Sequence, residues 1–130
     1  AGAFLAERVG AGVQHMAFLT DDIFETSDQL NSSGFPRLEI SANYYSDLEV
    51  LFDLDTDFVS KLKAGNILYS KHDKSEYFQI YSTPIFDGFF FEVVQRKNGY
   101  QGYGARNAPT RLAAQRKYNT PNGKASEMRT

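Results

Sequence analysis

After an opening strand, apolar residues along this chain recur at helical spacing and then by alternation, and the change of period marks its elements. Gly12 to Thr20 opens as a strand, with Val13, His15, Ala17 and Leu19 on one face. Asp21 and Asp22 are good helix caps, and Glu25 follows Asp22 at capping-box spacing. They predict a helix through Ile23, Phe24, Ser27 and Leu30 that stops at Gly34. Phe35 to Ile40 is short and extended, and Pro36 confines it to an edge or a strand beginning. Asn43 is the expected cap of a second helix carrying Tyr44, Tyr45, Leu48, Leu51 and Phe52. Thr56 or Asp57 is the expected cap of a third, which carries Phe58, Val59 and Leu62 and ends at Gly65. Beyond it the period falls to two. Ile67 to Ser70 is a strand, His72 to Ser75 a polar turn, and Tyr77 to Thr83 the returning strand. Pro84 and Asp87-Gly88 turn the chain into a last strand, Phe89 to Arg96. The predicted class is α+β: a βαβββ module over residues 12–97, with a helical insert. Residues 98–118 form a Gly/Tyr loop and a C-terminal helix that starts at Pro109. Residues 119–130 are polar and are expected to be a disordered tail.

The last strand carries the first chemical signal. Phe90, Glu92 and Val94 share one face, so a carboxylate stands among apolar neighbours. Buried charge costs several kcal/mol or more unless it is met. Three readings remain open: an ion pair with Arg or Lys, an edge strand with Glu92 facing water, or a metal ligand. His15 is flanked by apolar residues in the same way. A lone histidine on such a face is more often a satisfied core residue than a ligand. One His and one Glu, each inward on a strand, are two thirds of a facial two-histidine, one-carboxylate site for non-haem iron. Periodicity does not show whether the two strands lie side by side.

Composition narrows the field. The 130 residues suit one domain with a single core. Cysteine is absent, which excludes disulfides, thiolate zinc sites and cysteine nucleophiles and is compatible with a cytoplasmic setting. No apolar run approaches a membrane span of about 18 residues, and no signal peptide is visible. The chain begins without Met and reads as a piece of something longer. Net charge is −2 but uneven, −9 over residues 1–95 and +7 over 96–130. The basic residues lie singly along a helix and a frayed end, as on a solvated face, so no nucleic-acid partner is expected. Asp53, Asp55 and Asp57 lack the Gly and Glu that a calcium loop needs at its sixth and twelfth positions, and capping explains them better. The glycines at 99, 102 and 104 lack the strand–turn–helix setting of a phosphate loop. His72 sits among turn residues beside two lysines and is expected to be exposed and idle.

Several motifs occur in order: Gly12-Val-Gln-His-Met-Ala-Phe18, Tyr44-Tyr45, Tyr77-Phe-Gln-Ile-Tyr81, Phe90-Phe-Glu-Val-Val-Gln-Arg96, and Gly102-Tyr-Gly104 with Asn107. Together they resemble the C-terminal half of the catalytic domain of 4-hydroxyphenylpyruvate dioxygenases, in the vicinal oxygen chelate superfamily. The resemblance covers roughly residues 12 to 115. It implies a βαβββ module that pairs with a second one, and His15 and Glu92 as ligands of Fe(II) or another divalent cation. A preceding module of the same polypeptide would supply the third ligand, a histidine. It also implies a 2-oxo acid and dioxygen as reactants, with Gln79, Tyr81, Tyr103 and Asn107 at the substrate and no catalytic residue beyond the metal ligands. An unpaired module would expose an apolar edge, so self-association is expected.

The final helix departs from the family pattern. Ala108 stands where a second stacking Phe belongs, Arg106 replaces a glycine, and Tyr81 replaces a Phe. A smaller, more polar lid suits a smaller or more acidic ligand. Gly102 to Gln115 resembles more closely the dioxygenase-like domain fused to bacterial 3-dehydroshikimate dehydratases. That resemblance implies an alternative, an accessory metal-binding module without dioxygenase turnover of its own.

Overall fold

The computed structural model describes residues 15–85 and 88–118. In chain order it contains β1 (His15–Leu19), α1 (Ile23–Ser33), α2 (Ala42–Phe52), α3 (Thr56–Ala64), β2 (Leu68–His72), β3 (Ser75–Tyr81), β4 (Phe90–Lys97) and α4 (Ala108–Gln115). Single 3₁₀ turns at Ala105–Asn107 and Arg116–Tyr118 flank the last helix. The fold is the α+β, βαβββ module with a helical insert that the sequence predicts. Residues 12–14 and 119–130, the start of the predicted first strand and the predicted tail, lie outside the described residues.

Local chemistry sets most boundaries. Asp22 accepts a bond from the Glu25 amide at 3.1 Å, and Gly34 closes α1 in the left-handed region at φ 80°. Two caps differ from expectation. Ser41, not Asn43, precedes α2: its backbone is extended (ψ 150°), so the helix has already begun when the chain reaches Asn43. Asp55, not Thr56 or Asp57, caps α3, accepting from the Asp57 amide at 3.1 Å. The hairpin between β2 and β3 is tighter than predicted. His72 pairs with Ser75, leaving Asp73 and Lys74 as the turn, with Asp73 at φ 54°. The Phe35–Ile40 stretch contributes only an isolated bridge, Arg37 to Ser82.

The four strands lie in the order β1-β4-β3-β2. β1 runs parallel to β4, with His15 beside Phe90 and Ala17 beside Glu92. The other pairs are antiparallel, and Tyr81 faces Glu92 while Gln79 faces Val94. One face of the sheet presents Phe78, Ile80 and Val93 to a core completed by Ile23, Leu48, Val59 and Leu62 from the first three helices. Gln95 fastens this side: its carbonyl accepts from Ile23 N at 2.8 Å and its amide donates to Asp21 O at 2.6 Å. Arg37 ties α1 to the turn after α3, donating to Ser27 Oγ (2.9 Å), Ser27 O and Gly65 O. The core fixes the sheet, and the sheet fixes what its opposite face presents. That face is concave, and α4 with the 3₁₀ turn before it lies along its rim.

Candidate functional site

Because β1 and β4 are adjacent and in register, His15 and Glu92 meet. His15 Nε2 lies 3.1 Å from Glu92 Oε1, and their side chains are 16% and 7% exposed. Of the open readings of Glu92, an edge strand facing water is ruled out: β4 is interior to the sheet. The His15 ring stacks on Phe90, with centroids 5.1 Å apart and planes at 10°. Both polar groups open into a cleft of about 580 Å³ whose walls include Gln79, Tyr81, Arg96, Tyr103, Ala108 and Arg111.

Gln79 completes the constellation. Its amide nitrogen donates to Glu92 Oε2 at 2.9 Å and to the Tyr81 hydroxyl at 2.6 Å. Its carbonyl accepts from Asn107 Nδ2 at 2.9 Å, and Asn107 Oδ1 accepts from the Tyr44 hydroxyl at 2.7 Å. Tyr44 in turn accepts from Tyr69 N at 2.8 Å. A continuous chain of bonds therefore runs from α2 through the turn before α4 to the Glu92 carboxylate. It fixes the direction of the Gln79 amide, since the reverse orientation would set a carbonyl oxygen against that carboxylate. Gln79 thus occupies one carboxylate oxygen of Glu92 and leaves the other to the His15 side.

The remaining predicted residues are distributed unevenly. The hydroxyl of Tyr81 finds the partner its burial demands in Gln79. Burial pushes that phenol well above its ordinary pKa, the Glu92 charge adds to the effect, and Arg111 opposes it. Tyr103 reaches the cleft from the rim but is 71% exposed and lies 5.1 Å from the Arg96 guanidinium. Asn107 is 1% exposed and stands behind Gln79, not on the cleft wall. Its link to the cleft runs through Gln79. His72 is exposed on the distant hairpin beside Asp73, as expected.

One residue of the lid reading is misplaced. Arg106 does not face the cleft: its guanidinium lies 5.4 Å from the Phe52 ring of α2. The cation that α4 sets on the cleft wall is instead Arg111, one helical turn beyond Ala108 and 5.2 Å from the Phe90 ring. Sequence reasoning missed both Arg111 and Tyr44. Arg111 gave no signal because an isolated base on an exposed helix reads as solvated. Tyr44 showed as part of an apolar helix stripe and of the Tyr44-Tyr45 motif, neither of which gave it a role at the site.

A four-stranded βαβββ sheet holding a His/Glu pair in its concavity defines a vicinal oxygen chelate module. Within that class the chain is a C-terminal 4-hydroxyphenylpyruvate dioxygenase-like module. Comparison with known proteins gives this its basis. The chain is 48% identical over 109 residues to the 3-dehydroshikimate dehydratase of Pseudomonas putida, covering 83% of this chain and 17% of that protein. It is 38% identical over 109 residues to the 4-hydroxyphenylpyruvate dioxygenase of Dictyostelium discoideum, covering 75% of this chain and 28% of that one. Among solved structures it matches a xylose isomerase-like TIM barrel/4-hydroxyphenylpyruvate dioxygenase fusion protein, with TM-score 0.78 and 48% identity over 82% of this chain and 17% of that chain. A mutant of 4-hydroxymandelate synthase from Streptomyces coelicolor matches with TM-score 0.66 and 32% identity over 79% of this chain and 29% of that one. No family model matches. The chain thus spans less than a third of each of these relatives. Among the described residues no helix is long and apolar enough to cross a membrane.

Proposed function

We infer that this chain is the C-terminal, ligand-bearing part of a non-haem Fe(II)-dependent dioxygenase-like domain that takes a small 2-oxo acid. The observation that carries this reading is the 3.1 Å approach of His15 Nε2 to Glu92 Oε1 inside the cleft. The donor set fits a divalent ion. Two ligands at bond lengths of about 2.1 Å and a right angle lie about 3 Å apart, and imidazole nitrogen with carboxylate oxygen suits iron. Among the described residues no group of three or more candidate ligands converges, so His15 and Glu92 act as a pair. The reading assigns the third ligand, a histidine, to a preceding module of the same polypeptide.

The protein's own groups divide the remaining work. Gln79 holds Glu92 so that one oxygen is directed at the metal side, and its amide, braced by Asn107, also meets the ligand. Tyr81 stays un-ionised and offers an aromatic wall with a polar tip. Phe90 backs the His15 ring and limits its rotation. Bound iron would supply the reactivity toward dioxygen that no amino-acid side chain has.

Equilibrium dialysis with ferrous or cobaltous ion tests the metal assignment. Weak binding is expected, because two protein ligands are offered where the iron triad uses three. It should be abolished by Glu92→Ala and by His15→Ala. Binding that survives both substitutions overturns the assignment, and so does the absence of any binding. An oxygen-electrode assay of the full-length polypeptide then separates turnover from an accessory role, which Ala108 on the cleft wall favours. Rapid 4-hydroxyphenylpyruvate-dependent oxygen uptake excludes the accessory role.

A further inference from the structure

The cleft contains more positive than negative charge. Arg96 and Arg111 both line it, against the single carboxylate of Glu92. That carboxylate is already engaged by His15 and Gln79. Among the described residues neither arginine forms an ion pair. The two are held differently. Arg96 lies 4.8 Å from the Tyr77 ring and 5.1 Å from the Tyr103 ring, and it donates to the Gly102 carbonyl at 3.1 Å. Along β4 it stands four residues from Glu92, about 13 Å at ordinary strand rise. Arg111 is nearer the chemistry. It lies over Phe90, the register partner of His15, and 5.7 Å from the ring of Tyr81, the partner of Glu92. Its polar partners are neutral: it donates to Gln115 Oε1 at 3.0 Å and bonds the Tyr81 hydroxyl, so one end of the guanidinium fork is held while no carboxylate balances its charge.

We propose that Arg111 is a specificity-determining residue that receives a second anionic group of the ligand, so that this cleft selects a small dianionic acid over a monoanionic one. The proposal rests on reading the cleft as the ligand site and narrows that reading. One acid group goes to the His15/Glu92 end. The other meets the planar fork of Arg111, whose geometry matches a carboxylate bidentately. Ala108, one turn earlier on the same wall, leaves room for such a group beside Phe90 and Tyr81. Gln115 and the two rings hold the guanidinium in place, which reduces the ordering needed on binding.

The test compares two probes of equal chain length, 2-oxoglutarate and 2-oxopentanoate, which differ in the distal carboxylate. Binding is read from tyrosine fluorescence at pH 7, both with manganous ion and with chelator. The dianion should bind about ten-fold or more tightly than the monoanion in both conditions, as a charge-assisted bidentate contact requires. Arg111→Gln should erase that preference by weakening 2-oxoglutarate about ten-fold more than 2-oxopentanoate, Arg111→Lys should keep part of it, and Arg96→Gln should keep it. Equal affinity for the two probes, failure of both to bind, or a preference that survives Arg111→Gln overturns the proposal. The metal assignment fails on a different result, an absence of manganous-ion dependence, under which the chelator arm still judges Arg111.

Discussion

Asn107 offers the sharpest test of the bond network behind the site. Replacing it with alanine removes the donor to Gln79 Oε1 (2.9 Å) and the acceptor of the Tyr44 hydroxyl (2.7 Å). The two losses are unequal. Tyr44 retains Tyr69 O at 3.0 Å as an alternative acceptor and still receives the Tyr69 amide. Gln79, 1% exposed, has no alternative for its carbonyl oxygen. An orphaned buried acceptor costs about 1–3 kcal/mol, and the vacated volume adds to it, so Asn107→Ala should destabilise by about 3 kcal/mol in all. At a urea m-value of about 1.5 kcal/mol/M the midpoint falls by about 2 M. Cavity and orphan are separable in a double-mutant cycle with Gln79→Met, which keeps length but removes the polar atoms. Asn107→Ala should cost about 1–3 kcal/mol less in that background, because no carbonyl is left unpaired. Additivity within about 0.5 kcal/mol would refute the network.

Other expectations follow from the same structure. Gly104→Ala should destabilise by about 2–5 kcal/mol and loosen ligand binding: at φ 67° the added Cβ would sit 2.6 Å from Gln79 Oε1 and 2.7 Å from Tyr77 Cε2. A fully stable Gly104→Ala variant, read by urea unfolding, would contradict the close approach. Arg37→Met should lower stability by about 2–4 kcal/mol, since it strands the carbonyls of Ser27 and Gly65; an unchanged thermal midpoint would count against the tie between α1 and the turn after α3. Burial holds the phenols of Tyr44, Tyr45 and Tyr81 well above their ordinary value. The folded state therefore keeps protons that the unfolded chain releases above a pH of about 10, and stability is full below that pH and falls above it. Each tyrosine contributes about 1.4 kcal/mol per pH unit and the three about 4, which urea melts at two pH values on either side of 11 would detect. A flat profile there would show these hydroxyls to be solvated.

Much of the fold was legible because local chemistry specified it. The pattern Asp22-x-x-Glu25 and Gly34 bounded α1 to the residue, and strict alternation put Phe90, Glu92 and Val94 on the face where they are found. The cap of α2 was misread because Ser41 and Asn43 are both competent capping residues, and the choice between them depends on where Glu39 and Ile40 are led by the Arg37–Ser82 bridge. That bridge joins residues far apart in sequence. The pairing of β1 with β4 was illegible from pattern for the same reason. A parallel pair separated by the whole insert leaves no turn between its strands, and only the likeness of the ordered motifs to a known family suggested it.

The site divides along the same line. Alternation set His15 and Glu92 among apolar neighbours, because a strand's own geometry fixes the side on which each residue lies, and the family resemblance supplied Gln79 and Tyr81. A helix is different: its phase against the sheet is set by what it buries. Burial of Ala114 and Gln115 with Asn107 rotates α4 so that Ala108 and Arg111 face the cleft, while Arg106, in the preceding 3₁₀ turn, falls over Phe52. Reading by likeness put Arg106 in a more polar lid, whereas the structure sets Arg111 on the cleft wall and Arg106 over Phe52. It also placed Asn107 against the ligand, although its side chain is spent on Gln79 and Tyr44. A motif shows which residues a site depends on, but contact and support look alike in sequence. Here the support has a visible direction, from Tyr44 to Asn107 to Gln79, and it ends on one oxygen of Glu92. The other oxygen lies 3.1 Å from His15 Nε2, and on that pair the metal reading turns.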